Sequence, residues 1–316
     1  MKENPTAINH LNLRLLQTFM LLAEHRSFKV AAEHARRSPS AISTQIKQLE
    51  AQLGISLFHR TTRQVRMTRE AEQLFVGARR AMQEIVLSLR NVQETVDMRR
   101  GKVALACVPT IASTRLPSIL SVFEKDYPEV HVNLRELQVG LNQAVRDGEV
   151  DFGVGPVVST DSDLDFDAIL DESLMALVPR TFLRGARARK TISLQALTSM
   201  PMLVLNTNTA MREYVEATIK AHSLTFKAKY QCIQAQTQIA MAEAGLGAVI
   251  LPESLVMAHR SLATHALRIV EPQMSRKIAI VTLRSRSLSP AAARLAQLIR
   301  ELIQVQLGKN ARRRSS

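Results

Sequence analysis

Apolar positions in the first part of the chain recur with the spacing of an α-helix. Leu16, Phe19, Met20 and Ala23 lie on one helical face. Phe28, Ala31, Ala32 and Ala35 form a second, and Ile42, Ile46, Leu49 and Leu53 a third. Each stripe is too short for a helix stable by itself, so the three are expected to pack on one another. Residues 69–98 behave differently. Ala71, Leu74, Ala78, Met82, Ile85, Leu89, Val92 and Val96 step by three or four, close to a coiled-coil seam. There is no proline or glycine between Gly77 and Gly101. A small domain has no room for a helix of about 45 Å, so this stretch is expected to be a linker helix that pairs with a second copy.

From Gly101 the pattern changes to strand-like runs alternating with helical stripes. Runs at 102–108, 130–134, 150–154, 176–178, 202–205, 248–251 and 278–283 read as strands. Stripes at 114–125, 141–147, 210–222, 238–244 and 290–306 read as helices. That alternation predicts βαβ units and a mostly parallel sheet.

The join between the second and third stripes is informative. It reads Arg36-Arg37-Ser38-Pro39-Ser40, with Ser38 suited to an N-cap and Pro39 to the first helical turn. Two helices joined so tightly make a helix-turn-helix. The third helix carries Ser40, Ser43, Thr44, Lys47 and Gln48 on its polar side. Short hydrogen-bonding side chains with one cation suit a helix in a major groove, although a solvated face has the same composition. Gly54 then ends the helix, and His59 to Thr68 reads as a hairpin bearing Arg60, Arg63 and Arg66. A basic wing beside a recognition helix tips the reading toward DNA.

Charge agrees. The 316 residues have a net charge of +14. Residues 1–100 hold 16 basic and 9 acidic side chains, a net of +7, whereas 101–304 hold 22 and 19, a net of +3. The tail 305–316 adds Lys309, Arg312, Arg313 and Arg314 and reads as a frayed, solvated end. The excess calls for a polyanionic partner, nucleic acid or an acidic membrane surface.

Other classes fit poorly. No apolar run approaches the roughly 18 residues needed to span a bilayer, and MKENPTAINH lacks the apolar core of an export signal. A cytoplasmic location is expected. Cys107 and Cys232, the two cysteines, read as buried thiols. The eight histidines form no His-Glu-x-x-His zinc pattern, and neither a Gly-x-Ser-x-Gly elbow nor a phosphate-binding loop occurs. Gly153 and Gly155 are followed by Pro156 and lack a third glycine, which argues against a dinucleotide site. No enzyme activity, cofactor or metal is expected.

The residues in register then point to a family. Ser43, Gln45, Ile46, Leu49, Glu50, Gly54, Leu57, Phe58 and Arg60 reproduce its recognition-helix and wing pattern. The chain resembles the LysR-type transcriptional regulators over nearly its whole length. Weaker matches are Pro109-Thr110, Tyr127-Pro128-Glu129-Val130, Gly148-Glu149-Val150-Asp151, and Ala244-Gly245-Leu246-Gly247 before Leu251-Pro252. The resemblance implies an N-terminal all-α winged helix-turn-helix plus long linker helix, and a C-terminal α/β two-lobed domain like periplasmic binding proteins. The expected division is 11–68 for DNA binding, 69–98 for the linker and 101–304 for effector binding. Lobe I would cover 101–165 and 271–304, and lobe II 166–270, with crossings near 163–168 and 268–273. Thr44 and Pro39 depart from the family's frequent residues at their positions, which implies an unfamiliar operator.

Ser38, Pro39, Ser40, Ser43, Thr44, Lys47, Arg60, Arg63 and Arg66 are the candidate DNA contacts. In such α/β folds ligands sit beyond the carboxyl ends of strands. Three junctions qualify: Pro109, Thr110 and Ser113 before a helix from Thr114; Gln138 and Gly140 before Leu141; Asn206, Thr207 and Thr209 before Ala210. Gln236 and Thr237, at the end of another strand-like run, are further candidates. Free N–H groups at helix starts suit a small anion, though ordinary capping needs no ligand. The resulting expectation is a regulator of double-stranded DNA, modulated by a small, anionic metabolite. It would read a pseudo-palindromic operator as a homodimer through the linker helix. The resemblance implies a homotetramer, and the assembly is expected to act on RNA polymerase. An effector-independent architectural DNA-binding protein is the alternative, and the nearly neutral α/β part argues against it.

Overall fold

The three N-terminal stripes become three helices: α1 (Leu13–His25), α2 (Phe28–Ala35) and α3 (Pro39–Leu53). They belong to a computed structural model that describes residues 12–60, 65–96, 100–157, 163–183, 190–259 and 261–314. Each helix starts on a side chain that accepts from the first turn: Asn12, Ser27 and Ser38. Phe19, Leu22, Ile42, Ile46, Leu49 and Leu57 are almost wholly buried together. Two strands, β1 (Phe58–Arg60) and β2 (Val65–Met67), pair antiparallel as the wing. The expected Arg63, and the side chain of Arg60, lie outside the described residues.

Helix α4 (Arg69–Val96) follows. Thr68 caps it: its hydroxyl accepts from the Ala71 N–H at 3.1 Å and donates to the Ser56 carbonyl at 3.0 Å. Ala71 and Ala78 are buried, but Ile85 is 37% exposed and its neighbour Val86 58%. The seam side chains Leu89, Val92 and Val96 lie outside the described residues. Contacts divide the chain into two compact units, Met1–Arg90 and Asn91–Ser316.

The second unit holds a large sheet. In chain order its elements are β3 (Arg100–Cys107), α5 (Pro109–Thr114), α6 (Leu116–Asp126), β4 (Glu129–Glu136), α7 (Leu141–Arg146), β5 (Phe152–Pro156) and β6 (Leu164–Pro179). Then come β7 (Thr191–Ser193), α8 (Leu194–Thr198), β8 (Pro201–Leu205), α9 (Ala210–Ala221), β9 (Lys227–Cys232) and α10 (Ala235–Glu243). The unit ends with β10 (Val249–Pro252), α11 (Glu253–Ala258), β11 (Thr264–Val270), β12 (Ser275–Leu283) and α12 (Pro290–Arg314).

The sheet is mixed rather than mostly parallel. β3 is parallel to β4 and β5, but β12 runs antiparallel to both β5 and β6. β6 is the spine. Leu164 to Ser173 pair with β12, and Leu174 to Pro179 pair with β10 and β11. The first crossing between lobes therefore falls at Ser173–Leu174, later than the expected 163–168. The return lies between β11 and β12, at residues 271–274. One core gathers around Phe123, Phe152 and Leu105 in lobe I, and two others flank the lobe II strands. Helix α12 continues to Arg314, so the tail expected to fray is helical, its side chains beyond Val305 lying outside the described ones. Among the described residues no helix is long and apolar enough to cross a membrane.

Candidate DNA interface and ligand pocket

Two hydrogen bonds fix the pose of α3. The Thr18 hydroxyl of α1 donates to Gln45 Oε1 at 2.7 Å, and Glu50 Oε1 accepts from the Leu57 N–H at 2.8 Å. The first ties α3 to α1 and the second ties its end to the wing. Gln45 and Glu50 are thus positioning residues. Facing away from the core, Ser38, Pro39, Ser40, Thr44, Lys47 and Gln48 are exposed. Ser38 Oγ accepts from the Ala41 N–H at 3.2 Å and sits 2.9 Å from Ser40 Oγ. Thr44 donates back to the Ser40 carbonyl at 3.0 Å. Ser43 is half-buried, on the border of this face rather than at its centre. On β2 Arg66 is exposed, its backbone opposite His59. The arrangement is a short polar helix face plus a basic hairpin.

In the second unit a cavity of about 590 Å³, including its mouth, lies where the lobes meet. Apolar wall comes from residues such as Val108, Leu205, Met211, Leu251 and Pro252. Thr110, Gln138, Thr209, Gln234, Gln236 and Arg276 supply the polar groups. Five expected residues therefore line it: Pro109, Thr110, Gln138, Thr209 and Gln236. Five do not. Ser113 is exposed and donates to the Pro109 carbonyl at 2.9 Å, because α5 starts at Pro109 and not at Thr114. Gly140 lines the adjoining mouth instead, with Asn208 and Glu213. The Asn206 N–H donates to the Cys232 carbonyl at 3.0 Å, and the Asn206 carbonyl accepts from the Thr209 hydroxyl at 3.3 Å. Thr207 is exposed and absent from the wall. Thr237 lies one helical step past Gln236, inside α10 rather than at a strand end.

Arg276 and Gln234 are the polar wall residues that sequence reasoning missed. Arg276 is the second residue of β12, opposite Glu172 of β6. Its Nε and Nη2 donate to Glu172 Oε2 at 3.0 and 2.6 Å, and Nη2 also reaches Thr110 Oγ1 at 2.8 Å. Nη1 makes no hydrogen bond among the described residues. The pairing of an acid and an arginine 104 positions apart leaves no local pattern to detect.

Both cysteines are free. Burial drives the Cys107 thiol far above its ordinary range and also raises Cys232, which is only half-buried where full burial was expected. Among the described residues no cluster of His, Cys, Asp or Glu could hold a metal ion.

Residues 13–72 match the family model for the bacterial regulatory helix-turn-helix protein, lysR family, and residues 97–304 match the LysR substrate binding domain. The chain belongs to the LysR family. It is a DNA-binding transcriptional regulator with a substrate-binding domain. Among LysR relatives, the transcriptional dual regulator GltC of Bacillus subtilis is 29% identical over 284 residues, 89% of this chain and 94% of that protein. The regulator YbhD of Escherichia coli K12 is 29% identical over 291 residues, covering 91% and 90%. The fold matches solved structures of the family. Full-length OxyR from Pseudomonas aeruginosa superposes with a TM-score of 0.68 at 21% identity, over 93% of this chain and 95% of that one. CbnR bound to its target DNA gives 0.66 at 22%, over 92% and 99%.

Proposed function

We propose that this LysR regulator is switched by a small metabolite with one anionic group on an apolar body, bound in the pocket between the lobes. Arg276 carries the reading. Its guanidinium has two nitrogens engaged and Nη1 without a partner among the described residues, at the wall of a pocket that is otherwise mainly apolar. An anion there would gain a charge-assisted bond, and the apolar walls would take up the body of the ligand. Thr110, Thr209 and the three glutamines would fix its orientation.

On the DNA side, Ser38, Pro39, Ser40, Ser43, Thr44 and Lys47 would meet base edges and nearby phosphates, with Arg60, Arg63 and Arg66 on the flanking backbone or minor groove. Two copies joined through α4 would present two recognition helices to a pseudo-palindromic site. Assembly through the substrate domains would give a tetramer, whose altered shape changes DNA bending or contact with RNA polymerase. The ligand can shift that equilibrium only by its difference in affinity for the two lobe arrangements. The protein would act in the cytoplasm, where its DNA is, and would need no catalysis. A titration calorimetry panel of straight-chain and aromatic monocarboxylates against the full chain tests the ligand class. Binding that is lost in Arg276→Gln supports it; binding of only neutral or cationic compounds would overturn it.

A further inference from the structure

We propose that Glu172 is a positioning residue that transmits occupancy of the pocket to the contact between the lobes. The proposal rests on the pocket being the ligand site. Glu172 is 3% exposed and stands two residues before the point where β6 passes from one lobe to the other. Its two carboxylate oxygens face different ways. Oε2 holds Arg276, which lines the pocket and also holds Thr110. Oε1 accepts from Ser254 Oγ of α11, in lobe II, and has Arg115 Nη2 of lobe I at 3.9 Å. Ser254 Oγ in turn lies 3.4 Å from the Thr114 hydroxyl of α5. One buried carboxylate thus joins the pocket arginine, the crossing strand, a helix of lobe II through Ser254, and lobe I through Arg115 between α5 and α6.

Burial makes this junction sensitive. A charge in a low-dielectric setting interacts strongly with each partner, and a change at one partner alters its hold on the rest. An anion on Arg276 Nη1 competes with Glu172 for the guanidinium. As Arg276 turns to the ligand, Glu172 relies more on Ser254 and Arg115, and the lobes are held differently. Serine supplies that lobe II contact through a single hydroxyl, so it can be removed without emptying the pocket wall.

Two arms of hydrogen–deuterium exchange on the full chain test this. Without ligand, Ser254→Ala should raise exchange in residues 108–112 and 275–278, across the lobes from the substitution, by about fivefold or more, the lower range of ordinary coupling between sites. Ser254→Thr, which keeps the hydroxyl, should restore protection. Unchanged exchange in those segments overturns the proposal whatever a ligand does. In the second arm the probe is sodium hexanoate. Added to the native chain, it should change protection of residues 253–258. In Glu172→Gln it should still bind by calorimetry, but that change should shrink about fivefold or more. A merely structural role would shift the baseline and leave the probe-induced difference intact, which contradicts the proposal. If hexanoate and the rest of the panel fail to bind the native chain, the ligand reading fails and with it the transmission of occupancy, while the first arm still decides whether the Glu172 junction couples the lobes.

Discussion

Gly54 and Gly247 are glycines for different reasons, and each gives a measurable consequence. Gly54 closes α3 at φ 70 with nothing within 4 Å of where a Cβ would stand. Gly54→Ala therefore strains only the backbone and should cost about 1 kcal/mol in urea unfolding. Gly247 lies outside the left-handed region, but a Cβ there would stand 2.8 Å from the Pro201 carbonyl oxygen. That oxygen accepts the Ala248 N–H at 2.8 Å, and Leu203 donates to the Ala248 carbonyl at 2.8 Å. Gly247→Ala must spread these segments and should cost about 1–3 kcal/mol. A loss below that of Gly54→Ala would mean the approach relaxes freely. At the same scale, the elevated Cys107 thiol makes it a poor nucleophile, since the thiolate is the reactive form. Mass spectrometry after native alkylation at neutral pH should find Cys107 unmodified; rapid labelling of Cys107 would show that lobe I opens.

At the scale of elements, α3 and the wing are the most legible part of the sequence. Their stripes, the Ser38-Pro39 start and the Gly54 end all lie where the periodicity and capping residues indicate, because local chemistry fixes them. The sequence pattern marks β6 only at 176–178, although the strand begins at Leu164. Its first half, Leu164 to Ser173, is dense in acids and looks like a loop. Arg284 meets Asp165 at 2.9 Å, Arg300 meets Asp167, and Arg276 meets Glu172. Partners more than a hundred residues away make that stretch a strand. β9 registers in the sequence only as a strand-like run around Cys232 without firm bounds, because five of its six residues are exposed and carry no alternation. The pocket followed the same division. Its residues at strand-to-helix junctions, Thr110 and Thr209, are legible, whereas Arg276 depends on a long-range pairing. The elements proposed to face DNA carry their own test. If Lys47 meets a phosphate, Lys47→Ala should weaken binding to all sequences alike and reduce the salt slope by about 0.9. A loss confined to one operator variant would instead make Lys47 a base contact. Arg66→Ala should act like a phosphate contact in the same titration.

For the whole molecule, the uneven charge has a purpose in this reading. The first hundred residues carry +7, and residues 101–304 only +3. Residues 305–316 add +4 at the end of α12, so non-specific affinity would come from the first hundred residues and from that tail, while 101–304 remain free to recognise a small molecule. Thr110→Ala should leave basal DNA affinity unchanged, because Thr110 belongs to the other unit, and should weaken the response to a bound carboxylate. An equal loss of DNA affinity with and without that carboxylate would place its effect on folding instead. The most direct measurement of sequence-specific regulation is to mix the protein with sheared DNA of its own genome at about 0.15 M salt, near physiological ionic strength, and sequence what it retains. Enrichment of a few intergenic sites sharing a dyad is the predicted result, and the neighbouring genes would then indicate the ligand's pathway. Retention without sequence preference would contradict it, leaving the basic charge alone to account for binding.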